Sequence, residues 1–159
     1  MQNGGVARSW PGASPRPFLP RPEPEPPAPS HTLSDMEREP RLLALRGAIT
    51  LDADTKDEVS EKTQRLVKEM LARNDVNHDD LVSIIFTATD DVTADFPAAA
   101  ARALGLGDVP LLCARELGIA NAMPLCVRVL MHLYSDRRRD ELHHVYLEGA
   151  RGLRDDLPE

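Results

Sequence analysis

The chain has 159 residues, with 19 lysines and arginines against 26 aspartates and glutamates, and a formal net charge of -7. Proteins that bind nucleic acids through phosphate contacts are normally basic, so this charge balance disfavours a nucleic-acid-binding function. No apolar run approaches the roughly 20 residues that a membrane-spanning helix needs, which also disfavours a membrane protein.

Prolines divide the chain into two parts. Ten of the fourteen prolines lie in residues 1–40. Such a segment buries too little apolar surface to order itself, so we predict a disordered Pro-rich extension over 1–40 and one domain over 41–159. A Pro-x-x-P ligand for a partner domain is the alternative. Met36 is an alternative translation start, since every segment with hydrophobic periodicity follows it.

The cysteine content and the N-terminal residues indicate the cellular compartment. Cys113 and Cys126 are too few for a disulfide scaffold, and residues 1–40 lack the continuous apolar core of a signal peptide. Reduced thiols are typical of the cytosol, so we predict a cytoplasmic protein.

The domain opens with a strand and a helix. Residues 42–51 form a short apolar run that predicts a strand. Thr55, followed three residues later by Glu58, is typical of a capping box at a helix start. Apolar residues then recur on one helical stripe, which predicts an amphipathic helix to about Arg73.

The rest of the domain is mostly β-structure. Residues 81–87 are continuously apolar, as in a strand buried on both faces. Pro97 begins an alanine-rich helix that ends near Gly105. Three more strands are predicted at 109–113, 123–134 and 143–147. The order βαβαβββ indicates a mixed α/β (α+β) domain, with the long helix on one face of a mixed sheet. The other face needs a cover, so self-association is expected.

Arg128 interrupts the apolar strand 123–134. A guanidinium keeps its charge at neutral pH, and burying it is costly unless an anion meets it. Two interpretations stay open, an ion pair inside an oligomer interface or a ligand site, and Glu116 is a candidate partner in both. Arg46 is either an exposed arginine at a strand end or, with Arg128, part of a positive pocket suited to a carboxylate.

The sequence lacks the residue patterns that metal binding, dinucleotide binding and nucleophilic catalysis require. His143 and His144 are adjacent in a predicted strand, so they point to opposite faces and cannot chelate one metal. Gly105 and Gly107 follow a helix rather than a strand, unlike a dinucleotide-binding loop. Cys113 has no histidine in a recognisable partner pattern. The sequence therefore predicts no metal, no cofactor, and a pocket for a small anion.

Six segments in order carry a resemblance to a known family. They lie at residues 45–50, 96–102, 110–116, 126–129, 144–148 and 153–157. With them, residues 42–157 resemble the trimeric, monofunctional (AroH-class) chorismate mutases. The resemblance implies a pseudo α/β-barrel homotrimer with active sites between subunits. It also implies the cofactor-free Claisen rearrangement of chorismate to prephenate in phenylalanine and tyrosine biosynthesis.

The resemblance also implies roles for the charged residues. Arg128 would stabilise the negative charge that builds on the breaking ether oxygen. Arg46 and Tyr146 would hold a substrate carboxylate. Glu116 would accept a hydrogen bond from the substrate hydroxyl, with Cys113 beside it.

Four more residues complete the implied site. Phe96 and Leu153 would form apolar walls, while Arg102 and Arg154 would lie at the pocket mouth. Ala99 stands where we expect a lysine in some relatives, which predicts weaker and less salt-dependent capture of the dianion.

Two other functions remain as alternatives. One is a non-catalytic trimeric binding module for a small carboxylate metabolite, against which the intact set of charged residues argues. The other is a small-molecule hydrolase or deaminase on a similar trimeric scaffold.

Overall fold

The structure is a computed structural model that describes residues 39–154. The predicted disordered extension and the alternative start at Met36 fall outside the described residues, apart from positions 39 and 40. Within the described part of the chain, no helix combines the length and the apolar character needed to cross a bilayer.

Five strands form one mixed sheet in the spatial order β3-β2-β4-β1-β5. They are β1 (Arg41–Thr50), β2 (Leu81–Ala88), β3 (Leu111–Arg115), β4 (Cys126–Ser135) and β5 (Val145–Leu147). The β4 strand is antiparallel to β1 and β2, whereas β3 and β5 run parallel to their neighbours. The predicted element order is confirmed, although β3 and β5 begin two residues later and β4 begins three residues later than predicted.

Residues 39–154 also contain two α-helices and three short 3-10 helices, the last of which follows β5. The α-helices are α1 (Lys56–Arg73) and α2 (Pro97–Ala103), and the 3-10 helices are His78–Asp80, Arg139–Glu141 and Glu148–Leu153. Pro97 occupies the first turn of α2 as predicted. Gly105 follows that helix with φ +87, a conformation that glycine adopts without strain.

The predicted cap of α1 forms only in part. The Thr55 hydroxyl oxygen accepts a hydrogen bond from the backbone N–H of Glu58 at 3.3 Å. The Glu58 carboxylate does not accept a hydrogen bond from the backbone N–H of Thr55, as a full capping box requires. It accepts instead from the backbone N–H of Asp52 at 3.0 Å. The second contact ties the helix start to the chain that leaves β1.

The α1 helix covers one face of the sheet, as predicted. Its buried residues are Val59, Thr63, Leu66, Val67 and Met70. Gly47 lies directly beneath, and a Cβ there would collide with the Met70 sulfur. The close approach of helix and strand explains why a glycine interrupts the apolar run of β1.

The opposite face of the sheet, which we call the far face, is only partly covered. In β2, Ile84 and Phe86 face α1 and are fully buried, whereas Ile85 and Thr87 on the far face are half-buried. The expectation that β2 is buried on both faces is therefore wrong for the single chain. Among residues 39–154, the 3-10 helix Glu148–Leu153 packs against the β1 end of the far face, and no second layer covers the part around β2.

Candidate active site

The far face carries an ion pair at the middle of β4. Arg128 alternates with Val127 and Val129, which face α1, so its side chain lies on the far face. Its Nη1 donates to Oε2 of Glu116. Only 28% of the Arg128 side chain and 15% of the Glu116 side chain are exposed, so solvent screens this pair incompletely.

Neighbouring strands fix the position of Glu116. Its backbone N–H donates to the carbonyl of Ala88 at 3.0 Å and so extends the pairing of β3 with β2 by one residue. The Thr87 hydroxyl donates to Oε1 of the carboxylate at 2.7 Å. The backbone and one carboxylate oxygen of Glu116 are thus tied to β2, while the other oxygen meets Arg128.

Arg46 and Tyr146 lie on the same face. Ala48 pairs with Arg128 on one side and with Tyr146 on the other, and Arg46 precedes Ala48 by two residues, so all four side chains project from the far face. Burial, and secondly the charge of Arg46, lower the pKa of Arg128 below its ordinary value. The site therefore holds two guanidinium groups close enough to repel each other.

The Tyr146 hydroxyl has no partner among the described residues. Its oxygen is buried without a hydrogen bond. A buried hydroxyl in this state costs free energy, and buried polar groups are normally satisfied. The hydrogen-bonding capacity of this hydroxyl is thus unused among the described residues.

His144 contacts the backbone of Arg46. The Arg46 N–H donates to Nδ1 of His144 at 3.1 Å, so this ring nitrogen must be unprotonated. Burial, followed by the charges of Arg46 and Arg154, lowers the pKa of His144. A neutral His144 therefore fits both the contact and its surroundings.

The C-terminal end of the described chain packs next to Tyr146 and His144. The backbone N–H of Gly149 donates to the Thr50 hydroxyl oxygen at 2.9 Å, which anchors the 3-10 helix Glu148–Leu153 on β1. Leu153 and Tyr146 pack against the small buried cluster around Ala48. Arg154 is near enough for its charge to act on His144.

The other three predicted site residues lie elsewhere in the chain. Phe96 caps α2, is 71% exposed, and lines a cavity of about 350 Å³ together with Cys113. Cys113 is in register with buried Phe86, so its side chain faces α1 rather than the far face. Arg102 is exposed on α2. Within one chain, Phe96, Arg102 and Cys113 are therefore not brought together with Arg128.

An aspartate clamps the loop that leads to Phe96. Asp54 accepts hydrogen bonds from the Thr93 hydroxyl at 2.6 Å and from the backbone N–H groups of Thr93 and Ala94 at 2.9 Å each. These contacts, led by the Thr93 hydroxyl, lower the pKa of Asp54. The clamp links the start of α1 to the start of α2.

Sequence reasoning missed three residues that position the others. Thr87 is one of two polar residues, with Ser83, in the otherwise apolar run of β2, a signal that could have marked it. The sequence pattern assigns no contact to His144 beyond excluding it as a metal ligand, and it does not single out Asp54. Their contacts join positions 29, 98 and about 40 residues apart, which no local pattern reveals.

Comparison with known proteins shows which family the chain belongs to. The family described as chorismate mutase type I matches residues 42–157. The chain belongs to this family. Among its relatives, the chorismate mutase AroH of Thermus thermophilus is 42% identical over 117 residues, which cover 73% of this chain and 96% of the relative. The chorismate mutase AroH of Bacillus subtilis is 38% identical over 117 residues, with 73% and 92% covered.

A solved structure of the chorismate mutase from Clostridium thermocellum supports the fold. It superposes with a TM-score of 0.68 at 43% identity and covers 69% of this chain and 98% of that one. The resemblance that the six segments predicted is confirmed, and so is the α+β fold with its mixed sheet. The trimer and the individual residue roles stay predictions.

Proposed function

We propose that this chorismate mutase family member is an isomerase that converts chorismate to prephenate, a step towards phenylalanine and tyrosine. The observation that carries the proposal is the far-face group of two guanidinium groups, one carboxylate and one unpartnered hydroxyl. This group offers cations for a dianion within a protein whose net charge is -7.

The reaction needs electrostatic stabilisation rather than a nucleophile. As the ether C–O bond breaks, a C–C bond forms at the other end of the same molecule, and no proton moves. Negative charge builds on the ether oxygen in the transition state. A fixed cation beside that oxygen stabilises the transition state more than the ground state, which accelerates the reaction.

Arg128 is the residue that we assign to this role. A guanidinium has five N–H donors, and the contact with Glu116 uses Nη1. The remaining donors can therefore serve a ligand while the ion pair persists. Partial burial strengthens the interaction, because water competes poorly for the charge.

The neighbours of Arg128 would bind the rest of the substrate. We assign a carboxylate to Arg46 and to the Tyr146 hydroxyl, and the substrate hydroxyl to Glu116, which can only accept when ionised. Leu153 would form an apolar wall, and Arg154 would assist capture at the pocket mouth. The packing of Leu153 beside Tyr146 supports this arrangement.

We further propose that the enzyme is a homotrimer in which a neighbouring subunit completes each site. Phe96, Arg102 and Cys113 would come from that neighbour, since within one chain they lie away from the far face. Exposed apolar residues on or near the far face support self-association, because isolated domains rarely leave such surface uncovered. They include Leu42, Leu112, Leu117, Ile119 and Tyr134.

The assay with purified protein is direct. Chorismate should disappear while prephenate appears in equal amount, without any added cofactor, and we place this activity in the cytoplasm. Binding of chorismate without turnover would support the alternative, a non-catalytic module for a carboxylate metabolite.

A further inference from the structure

We propose that Thr87 is a positioning residue for the rearrangement: its hydroxyl holds Glu116 so that the carboxylate orients Arg128 without satisfying all of its donors. This inference rests on the proposed function. The contact that carries it is the hydrogen bond of 2.7 Å from the Thr87 hydroxyl to Oε1 of Glu116.

The sheet register brings the three residues together. Thr87 is the direct cross-strand partner of Arg128, so the two side chains stand next to each other on the far face. Glu116 follows the end of β3 and reaches across to both. Each of its two oxygens is then held by a different group, the hydroxyl at Oε1 and the guanidinium at Oε2.

The geometry explains why a hydroxyl is needed at this position. Arg and carboxylate groups readily form two parallel hydrogen bonds, which would occupy both prongs of the guanidinium fork. In the structure Oε1 accepts from Thr87 and Oε2 meets Arg128, so the Thr87 hydroxyl favours a contact with the guanidinium through one oxygen. The other donors of Arg128 are then left for a ligand. Threonine also suits the role, because its β-branched side chain is stiff and its hydroxyl holds one orientation.

Removing the hydroxyl should therefore affect catalysis more than binding. Thr87→Val keeps the shape of the side chain but leaves Oε1 free to turn towards Arg128. We expect kcat to fall about 10- to 100-fold, the scale of one hydrogen bond to a charged group, while KM changes less than about threefold. Thr87→Ser should restore kcat to within about threefold of the wild type.

A matched control is available in α1. Thr63 is buried, and its hydroxyl has no partner among the described residues. Thr63→Val makes the same chemical change away from the far face and should leave both kcat and KM unchanged. Thermal unfolding of all variants shows whether each is folded, and Thr87→Ala replaces Thr87→Val if the latter does not fold.

The decisive experiment is a double-mutant cycle with Glu116→Ala. If Thr87 acts through Glu116, Thr87→Val lowers kcat in the wild-type background and has no further effect in the Glu116→Ala background. Equal losses in both backgrounds, or a folded Thr87→Val or Thr87→Ala enzyme with wild-type kcat, would overturn the assignment. Absence of turnover in the wild-type protein would instead overturn the proposed function on which it rests.

Discussion

Arg128 and Tyr146 lie on either side of Ala48, each as its direct cross-strand partner. The methyl group between them is too small to reach either polar group. A positive charge and a buried, unpartnered hydroxyl thus project from strands on either side of β1 on the same face of the sheet. The proposed anion site depends on this relationship and not on either residue alone.

The first prediction concerns that hydroxyl. Tyr146→Phe should raise KM about tenfold with little change in kcat, since one ligand contact is lost in both ground and transition states. The free energy of unfolding should not fall, because the hydroxyl makes no hydrogen bond in the described structure. Steady-state kinetics and urea unfolding test both parts. Lower stability with unchanged KM would mean that the hydroxyl serves the fold.

The second prediction concerns the sharing of sites between subunits. Arg128→Ala and Arg102→Ala chains, unfolded together and refolded as a mixture, should recover more activity than the two variants show separately. In random trimers about one quarter of the sites would combine two intact halves.

The control mixture combines Arg128→Ala with Arg46→Ala. Both residues lie on one far face, so no site in these trimers should be complete. Recovery in the control mixture, or none in the first mixture after mass measurement confirms mixed trimers, would contradict the proposed sharing.

The third prediction concerns pH. The lowered pKa of His144 means that the folded protein prefers the neutral ring, so its stabilising effect is present above the unfolded-state pKa of 6.5. This effect is lost as pH falls through the lower folded-state pKa. The variant His144→Asn offers an oxygen to the Arg46 N–H and does not titrate in this range.

Unfolding free energies of the wild type and His144→Asn should therefore converge as pH falls from about 8 to about 5. His78 has a raised pKa, caused first by its hydrogen bond with Asp108. Its contribution to the free energy of unfolding is therefore present at low pH and is lost as pH rises. His78 is present in both proteins, so its contribution cancels in the difference. A stability advantage of the wild type that grows on acidification would rule out a neutral His144.

The fourth prediction concerns the extension. The family match begins at residue 42, so deletion of residues 1–35 should leave turnover and oligomer mass unchanged. Size-exclusion chromatography with light scattering and the chorismate assay measure these two properties. A change in turnover or in oligomer mass would show that the extension contributes to catalysis or to assembly.

The elements of the fold were predictable because their signals are local. Apolar runs predicted the strands, the Thr55 cap marked the start of α1, and Pro97 marked the start of α2. The two-residue and three-residue shifts in β3 and β4 arose because apolar residues in the preceding loops also pack against the core. Val109 is such a residue.

The site was predictable only in part. Arg128 and Arg46 were conspicuous because charged side chains interrupt apolar strands. The sequence did not show that the predicted site residues divide between the far face and the region around α2. This division depends on how the strands pair in space. Strand alternation does place Cys113 and Glu116, three residues apart, on opposite faces, but it does not reveal which of the two lies on the face of Arg128.

The most direct test of the central claim is the turnover of Arg128→Ala with chorismate. If Arg128 stabilises the charge on the ether oxygen, kcat should fall at least about 10²- to 10³-fold, the scale for loss of one preorganised donor, in a protein that remains folded. A loss of less than about tenfold in kcat would contradict the assignment of that charge to Arg128.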